Sequence, residues 1–227
     1  MNSVIIVAAG SGKRMKAGIN KQFLLIDGKE ILAHTIDKFY NCDEIGEIIV
    51  CVKENEEEML KEKIISKYGY KDIKIAYGGK ERQDTIKNGL EKLDEDSEIV
   101  LIHDGARPFI EDEIIKNAIS ETKEHGATVV GVPVKDTIKI VKDGKITDTP
   151  DRSIVWAAQT PQSFKREIVE VSYKNAYEKG IYGTDDAMLA EYAGYEVHMV
   201  KGSYDNIKIT SPEDMGFAES INSGLKK

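Results

Sequence analysis

Cations crowd one short segment near the start of this chain. Lys13 and Arg14 fall inside Ala8-Ala9-Gly10-Ser11-Gly12-Lys13-Arg14-Met15, and Lys21 opens Lys21-Gln22-Phe23. Small residues and glycines at the end of an apolar run let a backbone approach a phosphate chain, and cations beside them neutralise it. The spacing is not that of a P-loop, because no Gly-Lys-Ser/Thr follows a four-residue gap. It is not a dinucleotide fingerprint either, since Met15 stands where the third glycine belongs. Polyphosphate binding is the chemistry suggested, and an ordinary strand-to-helix turn is the alternative left open.

Three further groups bear on the same chemistry. Gly78-Gly79-Lys80-Glu81-Arg82-Gln83-Asp84-Thr85 sets paired glycines before a helix, whose first N–H groups suit an anion or a base edge. A turn with a solvated charged face is the other reading. His103-Asp104-Gly105-Ala106-Arg107-Pro108 puts a carboxylate at the end of an apolar run, where a metal-bound phosphate or a substrate hydroxyl would lie. Arg107 either pairs with Asp104 or binds phosphate, and His103 reads as a structural hydrogen-bonder. The third group is scattered: Asp136-Thr137, Asp151-Arg152, Thr184-Asp185-Asp186 and Asp205-Asn206-Ile207-Lys208. Thr184 reads as a helix N-cap followed by acids. Lys208, between two isoleucines, reads as the solvent face of a strand or as a ligand.

Short apolar runs must position these groups. Strands are expected at Val4–Ala8, Glu47–Val52, Ile73–Tyr77, Ile99–His103, Thr128–Val132 and Glu196–Val200. Helices are expected near 30–41, 56–68, 82–93, 111–124, 165–179 and 185–193, with a last one opening at Ser211-Pro212. The alternation implies an α/β fold, a Rossmann-like and mainly parallel sheet with helices on both faces, binding ligands beyond the strands' carboxyl ends. Asp143-Gly144 between alternating segments predicts a hairpin, a β-arm at 136–156 inserted in one domain spanning 1–227. Thr137 and Arg152 then share the foot of that arm.

Composition narrows the field. A net charge of −8 argues against a broad nucleic-acid or anionic-membrane surface, so any cationic site must be local. The first apolar run is too short for a signal peptide or membrane span, and two cysteines, Cys42 and Cys51, read as buried thiols in a reducing compartment. A cytoplasmic location is expected. The histidines (His34, His103, His125, His198) show no metal-ligand spacing.

Taken in order, Ala-Ala-Gly-Ser-Gly-Lys-Arg-Met, Lys-Gln-Phe, Gly-Gly-x-x-Arg, His-Asp-x-Ala-Arg-Pro, Asp-Thr-Ile-Lys, Ala-Gln-Thr-Pro-Gln and Asp-Asn-Ile-Lys closely resemble the 2-C-methyl-D-erythritol 4-phosphate cytidylyltransferases, from about residue 3 to residue 221. The ribitol-5-phosphate cytidylyltransferase branch shares most of these motifs. The resemblance implies transfer of a cytidylyl group from cytidine triphosphate (CTP) to a polyol phosphate, with Mg²⁺ on the triphosphate and a homodimer joined through the arm. It implies that Arg14 and Lys21 stabilise charge on the α-phosphate, and that Arg152 and Lys208 place the attacking phosphate. Ala8, Ala9, Gly10, Gly79, Thr85 and Gly105 match the nucleotide side, and Gly12 and Arg82 are expected to bind substrate. Asp104, Arg107, Thr137 and Thr184 match the polyol-phosphate pocket, and the metal ligands are not implied. Gly105 replaces a frequent alanine, which is expected to loosen its loop. The small Gly105-Ala106 pair looks more like the methylerythritol branch than the ribitol one.

Overall fold

A computed structural model describes residues 1–10 and 20–224. Seven strands form one sheet in the order β11-β7-β10-β6-β1-β4-β5. They are β1 (Asn2–Val7), β4 (Glu47–Val52), β5 (Ile73–Tyr77), β6 (Ile99–Asp104), β7 (Ala127–Pro133), β10 (Trp156–Lys165) and β11 (His198–Lys201). The pairs of β1 with β4 and β6, β4 with β5, and β11 with β7 are parallel. Only β10 runs antiparallel, between β6 and β7.

Both faces of the sheet are apolar, which is why its strands read as continuous hydrophobic runs rather than alternations. Val4, Ile6, Val50, Val52 and Leu101 face one side, against Leu32, Ile36 and Phe39 of α1 (Ile31–Tyr40) and Ile115 and Ile119 of α4 (Asp112–His125). Leu60 and Ile64 join them from α2 (Glu57–Leu60) and the π-helical turn Lys61–Ser66 that continues it. The intervening Ile5, Ile49, Cys51, Val100 and Ile102 face the other side. There they meet Ile86 of α3 (Arg82–Leu90), Val169 and Tyr173 of α5 (Arg166–Glu178) and Leu189 of α6 (Asp186–Tyr192). A small satellite core joins a hairpin, β2 (Leu25–Ile26) with β3 (Lys29–Glu30), to α7 (Pro212–Gly224).

Two features differ from the expectation. The strand β10 is hidden in the sequence because its middle is polar: Gln159, Thr160, Gln162 and Ser163 are all buried, and Pro161 sits where the register with β7 shifts. A proline is tolerated at such an irregularity, and the side chains of Gln159, Thr160 and Gln162 hydrogen-bond rather than pack. The expected strand at 196–200 is also shorter, beginning at His198.

The arm forms. Strands β8 (Ile140–Lys142) and β9 (Lys145–Asp148) pair across Asp143 and Gly144, whose φ angles of 51° and 75° are the left-handed pair that a two-residue hairpin turn requires. Both strands are exposed along their whole length, as are Ile140, Val141 and Ile146 upon them.

Chain direction sets where a ligand goes. From β1 the chain proceeds outward to β4 and β5, then returns to β6 on the other side of β1. Strand order reverses between β1 and β6, so their carboxyl ends open a crevice.

Candidate functional site

A basin of about 590 Å³ occupies that crevice, lined by Ala8, Ala9, Gly10, Lys21, Gln22, Lys53, Glu54, Gly78, Gly79, Lys80, Glu81, Arg82, Thr85, Asp104, Gly105, Ala106, Lys208 and Thr210, with Val7 at its floor. Five of the lining side chains are cations and three are acids, so an acidic protein concentrates positive charge here. The volume falls in the usual range of small-molecule sites, ~300–1,000 Å³.

Backbone hydrogen bonds fix the floor. Ala8 N donates to Cys51 O at 2.8 Å, Gly78 N to Val52 O at 2.8 Å and Gly105 N to Val7 O at 2.9 Å, so the ends of β1, β4, β5 and β6 are laced together. Close approach demands the glycines. A Cβ on Gly78 would stand 2.4 Å from Ala9 Cβ, and one on Gly79 would stand 2.3 Å from Asp84 Cβ. Thr85 Oγ1 accepts from Gly79 N at 3.0 Å and donates to Glu81 O at 3.2 Å, which holds the glycine loop over the start of α3. Gly105 does not loosen its loop as expected. A Cβ there would lie 3.0 Å from Ala8 Cβ, and Gly105 O accepts from Thr35 Oγ1 at 3.0 Å, so the segment is both tight and anchored.

Asp104, at the end of β6 and nearly buried, is the electrostatic centre. Lys208 Nζ lies 2.8 Å and Arg107 Nε 3.5 Å from its Oδ2, while Arg82 Nε lies 3.8 Å from its Oδ1. Burial alone would raise its pKa, but Lys208, Arg82 and Arg107 together hold the carboxyl well below the usual carboxylate range. Asp104 N donates to Thr160 Oγ1 at 3.0 Å. His103, fully buried, has its pKa pushed down to about 4 by desolvation and is neutral at pH 7. Its Nε2 donates to Arg107 O at 3.1 Å, and its Nδ1 faces the Thr160 hydroxyl at 3.1 Å, so it works as a structural hydrogen-bonder.

The segment carrying Lys208 is no strand; it is clamped onto the Asp104 loop. Arg107 Nη1 donates to Asn206 O at 2.7 Å, Ile209 N to Ala106 O at 2.9 Å, and Lys21 Nζ to Ile209 O at 2.8 Å. Asn206, fully buried, donates to Gln159 Oε1 at 3.1 Å and Thr160 O at 3.0 Å. Gln22 reaches Ala8 O from the short turn Lys21–Phe23.

Of the residues expected in a site, Ala8, Ala9, Gly10, Lys21, Gly79, Arg82, Thr85, Asp104, Gly105 and Lys208 converge on the basin. Gly12 and Arg14 lie outside the described residues. Arg107 pairs with Asp104 behind the basin wall. Thr137 and Arg152 are exposed on the arm and line no part of the basin; Arg152 Nη1 donates to Lys135 O at 2.8 Å, which places it at the arm's foot as expected. Thr184 is exposed and does not cap α6. Asp185 does, accepting from Met188 N at 3.0 Å.

Sequence reasoning missed the polar supports on β10. Gln162 Oε1 accepts from Asp186 N at 3.0 Å and Ala187 N at 2.8 Å, and its Nε2 donates to Asp185 at 2.9 Å. The only signal was the compact Ala-Gln-Thr-Pro-Gln run, which carries no hydrophobic period. Among the described residues no group of three His, Cys, Asp or Glu could hold a metal ion. The Oδ2 of Asp104 is already taken, so these residues do not build a protein cage for a divalent cation.

Comparison with known proteins agrees with this geometry. Residues 2–223 match the family described as 2-C-methyl-D-erythritol 4-phosphate cytidylyltransferase. The protein of that name from Clostridioides difficile (strain 630) is 60% identical over 97% of this chain and 93% of its own length. That from Alkaliphilus metalliredigens (strain QYMF) is 49% identical over 96% and 92%. The crystal structure of 4-diphosphocytidyl-2C-methyl-D-erythritol synthase from Anaerococcus prevotii DSM 20548 superposes with a TM-score of 0.88 at 35% identity, covering 98% of this chain and 96% of that one.

Proposed function

This chain belongs to the 2-C-methyl-D-erythritol 4-phosphate cytidylyltransferase family, and we propose that the basin is where it performs that family's reaction. It transfers the cytidylyl group of CTP to 2-C-methyl-D-erythritol 4-phosphate, releasing pyrophosphate, in the non-mevalonate route to isoprenoids. One observation carries the assignment of the basin. Lys21 donates to the carbonyl of Ile209, the residue next to Lys208, so a cation suited to the α-phosphate and one suited to the acceptor's phosphate stand on one wall.

An oxygen of the acceptor's phosphate attacks the α-phosphorus in line. The new P–O bond forms as the bond to the bridging oxygen breaks, and pyrophosphate leaves with the electron pair. The nucleophile is already ionised at neutral pH, so no general base is required, and catalysis is positioning plus electrostatics. That explains why the one buried histidine nearby is neutral and structural. Lys21 and Arg14 stabilise the charge developing on the α-phosphate; Lys208 aligns the attacking phosphate; Asp104 accepts from an acceptor hydroxyl. The nucleotide rests against Ala8–Gly10 and Gly79, under Thr85. A divalent cation such as Mg²⁺, arriving with the triphosphate, would add charge neutralisation to that supplied by Lys21 and Lys208.

The active form in this reading is a homodimer. An exposed two-stranded arm with three bare aliphatic side chains is marginal alone, and a partner surface would cover it. Thr137 and Arg152, which are not among the described residues lining the basin of their own protomer, then complete the partner's acceptor pocket. The chain reads as one domain over 1–227 bearing the arm at 136–156, since a single seven-stranded sheet runs through it. No described helix is long and apolar enough to cross a membrane, and both cysteines are buried free thiols. A cytoplasmic location fits these.

Lys21→Ala tests the assignment. It should cut turnover at least about a hundredfold, the scale for losing a transition-state charge partner, with the fold intact. Near-wild-type turnover would remove the basin wall from the mechanism.

A further inference from the structure

Asp186 is a buried acid to which the reaction scheme gives no part. It stands in the first turn of α6 and is 2% exposed. Its two oxygens accept from Arg82 Nη1 at 3.0 Å and Nη2 at 2.8 Å, and Oδ1 also accepts from the Tyr173 hydroxyl at 2.6 Å. The backbone beneath it is fastened to β10, because Gln162 Oε1 accepts from the N–H groups of Asp186 and Ala187. The carboxylate is thus tied to α5 and to the sheet, and it cannot follow Arg82 into the basin.

Arg82 is gripped by the far edge of its guanidinium while its Nε faces Asp104. The two oxygens of Asp104 are not equivalent. Oδ2 is occupied by Lys208 at 2.8 Å and Arg107 at 3.5 Å. Oδ1 has Arg82 Nε at 3.8 Å, beyond hydrogen-bond distance, and among the described residues no hydrogen bond reaches it. A guanidinium with freedom to move that last ångström would form the forked pair that arginine and carboxylate favour. Asp186 already supplies that fork from the other side.

We propose that Asp186 is a positioning residue of this enzyme: by holding the terminal nitrogens of Arg82, it stops that guanidinium from closing on Asp104 and keeps Oδ1 open for a hydroxyl of the polyol phosphate. Arg82 then contributes its charge to the acceptor half of the basin without covering the oxygen that reads the acceptor. The inference rests on Asp104 lying in that acceptor half, as set out above.

Asp186→Asn keeps the shape and removes the charge that holds the fork. The Michaelis constant for 2-C-methyl-D-erythritol 4-phosphate should rise roughly tenfold or more while that for CTP stays within about twofold. Arg82→Lys breaks the fork from the other side, and the double variant should be no worse than Arg82→Lys alone, because Asp186 acts through Arg82. An equal rise in both constants, or additive losses in the double variant, would overturn the inference. Should Asp186→Asn not fold, Tyr173→Phe removes one hydrogen bond from the same carboxylate and should give a smaller rise of the same selectivity. An unmoved or unselective constant there would overturn it equally. Absence of wild-type turnover would overturn the functional reading, and this inference with it; wild-type turnover with no selective rise would overturn the inference alone.

Discussion

Lys208→Ala separates stability from substrate placement, and the geometry gives a magnitude for each. The ammonium lies 2.8 Å from Asp104 Oδ2 with 39% of its side chain exposed. Two unit charges near 4 Å attract by ~4 kcal/mol at an effective dielectric of ~20, but partial exposure screens such a pair to ~1 kcal/mol. Arg107 and Arg82 also remain beside Asp104. The variant should therefore unfold in urea with a loss of about 1 kcal/mol. Its effect on the acceptor should be larger, because a hydrogen bond to a charged phosphate contributes ~1.5–3 kcal/mol, roughly 10- to 150-fold in affinity. Initial rates of pyrophosphate release, with acceptor titrated at saturating CTP, should show that rise in the acceptor's Michaelis constant. Asp104→Asn is the counterpart. It leaves Lys208, Arg107 and Arg82 without their shared counter-charge and should cost about 3–5 kcal/mol of stability. A raised constant for CTP with an unmoved one for the acceptor would refute the placement of Lys208. Equal destabilisation by the two variants would refute the electrostatic ranking.

The arm should hold a dimer: Ile146→Asp, at a side chain 62% exposed, should give monomers in sedimentation at micromolar concentration with activity lost. A wild-type monomer with full activity would contradict that. Arg152→Ala should raise the acceptor's Michaelis constant without lowering stability, and an effect on CTP alone would argue against it. Acid should weaken the fold through His103. Its folded pKa of about 4 lies below the ordinary value of 6.5, so the unfolded chain takes the proton first as pH falls. Stability should be flat above about pH 6.5 and decline between 6.5 and 4, by of order 3 kcal/mol in all. The depressed carboxyl of Asp104 adds a further loss only below the ordinary carboxylate range. His103→Gln should flatten the first slope in urea midpoints measured across that window, and an unchanged slope would exclude the histidine as its source.

Much of this architecture is legible because β1, β4 and β6 are buried on both faces and read as largely apolar runs. The glycine pair and the Asp-Gly turn are equally plain, since close approach and left-handed backbone leave few residues able to serve there. The strand β10 is not legible. Its interior is polar, and its side chains satisfy the Asp104 loop, the Lys208 segment and the start of α6 rather than fill a hydrophobic layer. Asp186 is masked for a related reason. An acid just inside a helix start reads as a favourable charge at the macrodipole, and only the fold brings Arg82 to it across 104 residues. Thr137 and Arg152 illustrate a different limit: they do not line the basin of their own chain, and a role in the site rests on the proposed second copy.

The specificity of the acceptor half tests the account most directly. Gly105 packs tightly against Ala8 and Val7, and with Ala106 it lines the basin beside Asp104, so the wall there carries only small residues. The measurement is kcat/KM with CTP for 2-C-methyl-D-erythritol 4-phosphate and for ribitol 5-phosphate, side by side. A methyl branch and a change of chain length are worth ~1–3 kcal/mol in such a pocket, so the ratio should favour methylerythritol phosphate by roughly 10-fold or more, with some turnover of the other acceptor. A ratio favouring ribitol 5-phosphate would contradict the account at its centre.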